Sequence, residues 1–374
     1  MKKKNILILY SKMGKGHLSA SVATKNALEK LYSDKVNVKV IDFWKLAMKS
    51  MHKTSEKAYD GSVKYMPYMY KAFFDFYDTK WQVKLLNKLY YPALSTALKK
   101  LLKETEPDTI ISTYPIWDYT IAKIWKKKHP NKKFINIITD SITLHSIWTT
   151  ADADIRIVPN EDTAKVLMDS GISKDKIKIF GFPVDLEFTK PINKKNVLKK
   201  LGLNPKLFTV LLFANVGNNK RNLQIIEETI KDKRDYNVIC VTGRNHQLLP
   251  KIKHFDKKRN VKILGWTDEA PTLMKTSDLI ITKAGGATVM ECIAAKKPMI
   301  ITQIIPGQEE GNAELINNHN LGVILPKRKK GVETIRPTIS EIRKNYSKYQ
   351  KALEKQSRPK AALKIAEFIG SYLF

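Results

Sequence analysis

The chain has 374 residues, 43% of them apolar and 28% charged, and carries a formal net charge of +31. That length suits two domains, each able to bury its own core, and the composition is that of a soluble globular protein. No apolar run approaches the ~20 residues needed to span a bilayer, and two cysteines, Cys240 and Cys292, exclude a disulfide framework or a cysteine-rich metal site. Both read as small buried hydrophobes in a reducing cytoplasm.

The N-terminus, Met-Lys-Lys-Lys-Asn-Ile-Leu-Ile-Leu-Tyr, has the basic start of a secretory signal. Its apolar part is too short and Ser11-Lys-Met-Gly-Lys-Gly16 interrupts it, so it reads as a first buried strand. Gly14 and Gly16 permit a close approach to the backbone, and a helix starting there points its N-terminus at the same place. His17 opens that helix. An imidazole titrates near neutrality and can take a proton from a hydroxyl, although a histidine at a helix start is commonly just that. The G-x-G-H spacing lacks the third glycine of the dinucleotide fingerprint, which argues against a nicotinamide dehydrogenase.

Further strands are expected at residues 36–41, 109–113, 134–139 and 155–159, separated by helical stretches at 18–31, 116–128 and 161–170. The second half repeats the scheme, with strands at 208–214, 237–242, 261–264, 279–282, 299–302 and 322–325. Strands alternating with helices predict parallel sheets, hence two doubly wound α/β domains joined between Gly181-Phe-Pro-Val-Asp185 and Lys194-Lys195. Such folds bind ligands at the carboxyl ends of their strands, which for two facing domains means the cleft.

Tyr65 to Tyr91 holds ten aromatics in 27 residues with interspersed lysines. Composition alone suits an aromatic-rich core helix pair. The segment 138–148 follows a strand and carries Asp140, His145 and Trp148, which suit either an acceptor site or a polar loop anchored by its tryptophan. Thr242-Gly-Arg-Asn245 and Gly265-Trp-Thr267 leave neighbouring strands and suit either the walls of a nucleoside pocket or ordinary turns.

The stretch Ile281-Thr-Lys-Ala-Gly-Gly-Ala-Thr-Val-Met-Glu291 runs from a strand through Gly285 and Gly286 into a helix. Free backbone N–H groups and the positive helix end at such a turn suit a phosphate. Glu291, one turn in, is placed to accept two hydrogen bonds from a ribose diol. Next, Ile304-Ile-Pro-Gly-Gln-Glu-Glu-Gly-Asn312 offers Gln308, Glu309 and Asn312, side chains of the kind that read sugar hydroxyls or cap a helix start. Residues 326–364 carry thirteen Lys/Arg against three Glu. Anionic membrane, anionic substrate and nucleic acid all suit such a charge. No RNA-recognition, zinc-finger or basic-zipper pattern is present, so no nucleic-acid partner is expected.

Taken together, G-K-G-H, I-T-D-x-x-x-x-H-x-x-W, G-F-P-V, T-K-A-G-G-A-T-x-x-E and P-G-Q-E-x-x-N resemble the processive diacylglycerol glycosyltransferases. These are related to plant monogalactosyldiacylglycerol synthase and more distantly to MurG. The motifs keep the family order from residue 5 to beyond residue 320.

The resemblance implies a GT-B fold and inverting transfer of glucose or galactose from a UDP-sugar to diacylglycerol. The alternatives are a lipid-linked N-acetylglucosaminyltransferase or a non-catalytic binding protein. It implies an acceptor domain at 1–185, a donor domain at 186–345 and a helix at 346–374 returning to the first domain. By motif, His17 is the general base, with Asp140 and His145 as helpers or rivals. Gly14 and Gly16 line the same site. Gly285, Gly286 and Thr288 hold the diphosphate, with Lys283 beside them, and Glu291 holds the ribose. Gln308, Glu309 and Asn312 meet the donor sugar or groups close to the phosphates, and Arg244, Asn245 and Trp266 border uracil. The loop Phe213-Ala-Asn-Val-Gly-Asn-Asn219 is poorer in glycine than the family pattern. Leaving UDP needs positive charge, which a helix N-terminus and Lys283 supply, so no metal or other cofactor is expected and Asp152-Ala-Asp154 reads as incidental. With a lipid acceptor, the aromatic segment fits docking at a bilayer interface, on the cytoplasmic face of the membrane.

Overall fold

The computed structural model describes residues 2–49, 54, 61, 66–214, 219–231, 235–326 and 329–374. Tyr65 of the aromatic segment and residues 215–218 of the glycine-poor loop lie outside them. The chain forms two compact units. Unit 1 comprises Met1–Leu186, Pro306–Gly311 and Arg358–Phe374, and unit 2 comprises Glu187–Ile305 and Asn312–Ser357.

Unit 1 is built on a parallel sheet in the order β2-β1-β3-β4-β5-β6. Its strands are β1 (Lys4–Tyr10), β2 (Val36–Asp42), β3 (Thr109–Ser112), β4 (Lys133–Ile137), β5 (Ile155–Val158) and β6 (Ile177–Ile179). β3 and β5 are buried along their whole length, as strands covered on both faces must be. β6 is the strand that periodicity does not reveal. It has three residues with a lysine in the middle, and pairing with β5 rather than its own pattern makes it a strand.

The single helix expected at 116–128 is broken into a 3-10 turn at Pro115–Trp117, a helix at Asp118–Ile124 and a 3-10 turn at Lys126–Lys128. Pro115 leaves the preceding Tyr114 extended, and the last turn tightens to i→i+3 bonds from Lys128 N–H to Trp125 and from His129 N–H to Lys126.

The last helix, Ala361–Leu373, belongs to unit 1. Ala362, Ile365, Ala366 and Ile369 join Ile6, Ile8, Ala23, Ala27 and Leu28 in one apolar core. Small residues let this helix approach the Lys15–Tyr32 helix closely. A Cβ on Gly370 would stand 2.3 Å from the Tyr32 hydroxyl oxygen. Gly181, at a φ of +102°, lies against Arg358 and Ala361, and Arg358 pairs with Glu161. The Tyr346–Gln356 helix, grouped with the last helix in the expected division, packs in unit 2.

Unit 2 carries a parallel sheet in the order β12-β11-β10-β7-β8-β9. The strands are β7 (Phe208–Phe213), β8 (Tyr236–Val241), β9 (Val261–Leu264), β10 (Leu279–Thr282), β11 (Met299–Ile301) and β12 (Gly322–Ile324). Cys240 and Cys292 are both buried free thiols, and burial pushes Cys240 up to about 12.

Candidate active site

In unit 1 the chain builds β2 beside one edge of β1 and every later strand beyond the other, so the order reverses between β1 and β3. Loops leaving the carboxyl ends at such a reversal open a crevice. Gly14 holds the β1 turn at a φ of +86°, which only glycine adopts freely, and the helix Lys15–Tyr32 follows. Gly16 lies inside its first turn, and His17 is 5% exposed.

The ring of His17 is fixed from the ends of the neighbouring strands. Its Nδ1 lies 2.7 Å from the Thr113 carbonyl oxygen and 2.8 Å from Thr139 Oγ1. A carbonyl only accepts, so Nδ1 carries the proton and Nε2 holds the lone pair. Tyr114 packs edge-on against the ring at 4.8 Å. Burial lowers the His17 pKa below its ordinary 6.5, while the Asp140 charge and the Thr113 bond pull it partly back. The result is a neutral imidazole of defined tautomer, the form that takes a proton. Thr113 and Thr139 were not singled out in the sequence. Their signal is positional, since each sits just past the end of a central strand.

Asp140 is held by the Trp148 indole, whose Nε1 donates to Oδ2 at 2.8 Å. His145 lies on the following turn. It caps the Ser146–Thr149 turn, its Nδ1 accepting from Ile147 N–H at 3.2 Å, and it lies 3.7 Å from Asp78 Oδ1. Its lone pair is thereby committed to the loop.

The segment Pro306–Gly311 sits on this loop. A Cβ on Gly311 would stand 1.9 Å from Ser141 O, so only glycine allows the approach. It brings Gln308 Nε2 to 3.8 Å from the Cβ position of Gly14 and buries Glu309 to 4% exposure. Lys71 pairs with the adjacent Glu310 at 2.9 Å.

In unit 2 the strand order reverses between β7 and β10. The turn after β10 carries Lys283, Ala284 and Gly285, and the helix Gly286–Ala294 follows, its N-cap position held by Gly285. The N–H groups of a helix start such as this one suit a phosphate. Gly285, at a φ of −66°, is in ordinary extended backbone. Glycine there keeps the approach clear of a side chain. Thr288 and Glu291 are partly exposed on this helix. Asn312 braces the turn, its Nδ2 donating to Ala284 O at 2.9 Å, and its buried Oδ1 has no hydrogen-bond partner among the described residues.

At the ends of β8 and β9, the Arg244 guanidinium lies 4.3 Å over the Trp266 ring, which is 54% exposed. An exposed aromatic with a cation on it is a stacking surface for a planar base. Asn245 spends its amide internally, on Asn219 Oδ1 at 2.8 Å and Leu248 N–H at 3.2 Å. The carboxylates of Asp152-Ala-Asp154 are likewise committed, to Lys126, Lys176 and the Phe134 N–H.

Residues 17–184 match the family model of monogalactosyldiacylglycerol (MGDG) synthase, and residues 218–368 match the glycosyltransferase family 28 C-terminal domain. Monogalactosyldiacylglycerol synthase 2 of Arabidopsis thaliana is 27% identical over 380 residues, covering 98% of this chain and 80% of its own. A processive diacylglycerol beta-glucosyltransferase of Staphylococcus aureus is 29% identical over 336 residues, covering 89% and 84%. Among solved structures, Acinetobacter baumannii MurG has a TM-score of 0.58 at 10% identity, over 98% of this chain and 99% of its own. The Staphylococcus aureus MnaA–UDP co-structure has a TM-score of 0.62 at 12% identity, over 99% and 97%. At such identities the likeness is one of fold, the two-domain GT-B architecture. The chain thus carries an MGDG synthase domain in its first half and a glycosyltransferase family 28 C-terminal domain in its second, and the relatives it resembles along most of its length are diacylglycerol glycosyltransferases.

Proposed function

We propose that the protein transfers a hexose, glucose or galactose, from a UDP-sugar to the free hydroxyl of diacylglycerol, with inversion at the anomeric carbon. The observation that carries this is His17, buried, neutral and held by its Nδ1 at the crevice of unit 1. Its Nε2 takes the hydroxyl proton as the acceptor oxygen bonds to the anomeric carbon, and the bond from that carbon to the UDP oxygen breaks. The charge left on UDP falls to the N-terminus of the Gly286–Ala294 helix and to Lys283. Glu291 takes the ribose hydroxyls, the Arg244–Trp266 pair takes uracil, and Gln308 and Glu309 meet the sugar. The reaction so drawn needs no metal, and turnover is expected to survive a chelator.

The acceptor lives in a bilayer, and unit 1 offers a surface for one. On the helix Lys80–Thr105, Trp81, Leu85 and Leu89 form a ridge one turn apart, 70%, 52% and 68% exposed, with exposed Lys80, Lys84 and Lys88 beside them. Tyr68, Met69 and Phe76 on the preceding helix are also exposed, whereas Tyr90 and Tyr91 pack on the core. No helix among the described residues is long and apolar enough to cross a membrane. Attachment is therefore drawn as peripheral, at the cytoplasmic face, by apolar ridge and lysines together.

The test offers radiolabelled UDP-glucose, UDP-galactose or UDP-N-acetylglucosamine with diacylglycerol liposomes. Labelled glycolipid from a hexose donor is expected. Label only from UDP-N-acetylglucosamine would replace the hexose reading, and no product from any donor would overturn the proposal.

A further inference from the structure

Unit 1 has a second concave site, at the opposite end of its sheet from His17. It is a basin of about 720 Å³ lined by the start of β1, the approach to β3 and the ends of two helical segments. β1 is seven residues long, so roughly 20 Å of strand separates the basin from the turn that carries His17. Nothing in the transfer reaction uses it.

Seven of its fifteen lining residues are lysines, whereas Lys and Arg together make up 67 of the 374 residues of the chain. Lys2 and Lys3 precede the first strand and Lys4 begins it, Lys99 and Lys103 come from the last turns of the Lys80–Thr105 helix, and Lys128 and Lys132 from the approach to β4. Few are neutralised. Lys132 pairs with Asp108 at 3.6 Å and donates to Pro107 O, and Lys3 donates to Ser33 O. Lys2, Lys4, Lys99, Lys103 and Lys128 have no ion pair among the described residues.

Helix C-termini favour lysines, and that is the plain explanation for some of them. It does not balance the charge. Seven positive charges face the carboxylates of Glu106 and Asp108 and two helix ends at about half a charge each, so about four charges remain uncompensated. The side chains of Leu102, Ile124 and Trp125 give the basin an apolar floor, which concentrates the field of the lysines above it.

We propose that this basin binds a phosphate-bearing polyanion, at a site separate from the UDP-sugar and acceptor sites. The phosphate comes either from a soluble polyphosphate or from an anionic lipid headgroup, and its recognition is by convergent ammonium groups that lack partners of their own. Binding therefore weakens steeply with salt.

The test compares three full-length proteins. One is wild type, and one carries Lys99→Gln, Lys103→Gln and Lys128→Gln. The third carries Lys195→Gln, Lys199→Gln and Lys200→Gln, exposed lysines of unit 2 that remove the same charge elsewhere. Each is titrated calorimetrically with inorganic tripolyphosphate under saturating UDP, which occupies the donor site. Each is also sedimented with phosphatidylcholine vesicles with and without phosphatidic acid. The basin variant is expected to bind more than about tenfold more weakly than both other proteins in at least one arm. Loss in the first arm assigns a soluble anion, and loss in the second assigns a lipid headgroup. No binding in either arm, or equal binding by the basin variant and its charge-matched control in both, would overturn the proposal.

Discussion

At the scale of the residue, the proposed chemistry turns on the proton inventory of His17. Its pKa is lowered by burial, so the base form persists through neutrality and is lost only as pH falls below the ordinary 6.5. The acid limb of kcat/KM is accordingly expected below pH 6.5. The Asp140 charge raises the His17 pKa, so Asp140→Asn should move that limb further down. A limb that stays put or rises would show that Asp140 does not act on His17. His17→Ala should cost about 10²- to 10⁴-fold in turnover while leaving UDP binding, which the proposed function gives to unit 2, close to wild type in calorimetry. Near-normal turnover would remove His17 from the base role. The spacing G-x-G-H after a strand was enough to bring His17 forward. Its tautomer was not legible there, because Thr113 and Thr139 lie 96 and 122 positions away and only the sheet order brings them to one ring. His145 shows the converse. Its residue type was legible, whereas the bond its Nδ1 accepts from Ile147 N–H was not.

At the scale of the element, central strands and the phosphate-type turn were readable because burial on both faces leaves unbroken apolar runs. The short edge strand β6 was not, whereas β12 was expected at 322–325 and is found at Gly322–Ile324. β12 begins at Gly322, whose Cβ position lies 2.2 Å from Met299 O on the paired strand β11. A backbone oxygen in a ladder cannot step aside, so Gly322→Ala should destabilise unit 2 by about 3 kcal/mol. Gly370→Ala meets the Tyr32 ring, a side chain that can turn, and should cost nearer 1 kcal/mol. Urea denaturation of the two variants checks the order, and a Gly370 variant weaker than the Gly322 variant would contradict it. The Lys80–Thr105 helix is harder to read from sequence for another reason. It buries Val83, Asn87, Leu94 and Leu98 on one side and exposes Trp81, Leu85 and Leu89 on the other. With apolar residues on both sides, periodicity does not say which stripe faces the core.

At the scale of the whole molecule, the last helix makes the fold of unit 1 depend on residues far from it in sequence. Ile365 and Ile369 are fully buried there, each worth about 1.5–3 kcal/mol, with Ala361, Ala362 and Ala366 beside them. That sum is a large fraction of the 5–15 kcal/mol that typically stabilises a domain. Ile365→Ala should therefore cost about 2–5 kcal/mol, and the loss should fall on unit 1. The tryptophans separate the two units spectroscopically. Trp44, Trp81, Trp117, Trp125 and Trp148 lie in unit 1, and Trp266 alone lies in unit 2. Tryptophan fluorescence thus follows unit 1, and its urea midpoint should drop in Ile365→Ala. UDP binding, given to unit 2 by the proposed function and followed at the same urea concentrations, should fall off where it does in wild type. A fluorescence midpoint that does not move would mean that the last helix is a passenger on unit 1, and a parallel loss of UDP binding would mean that the two units unfold as one.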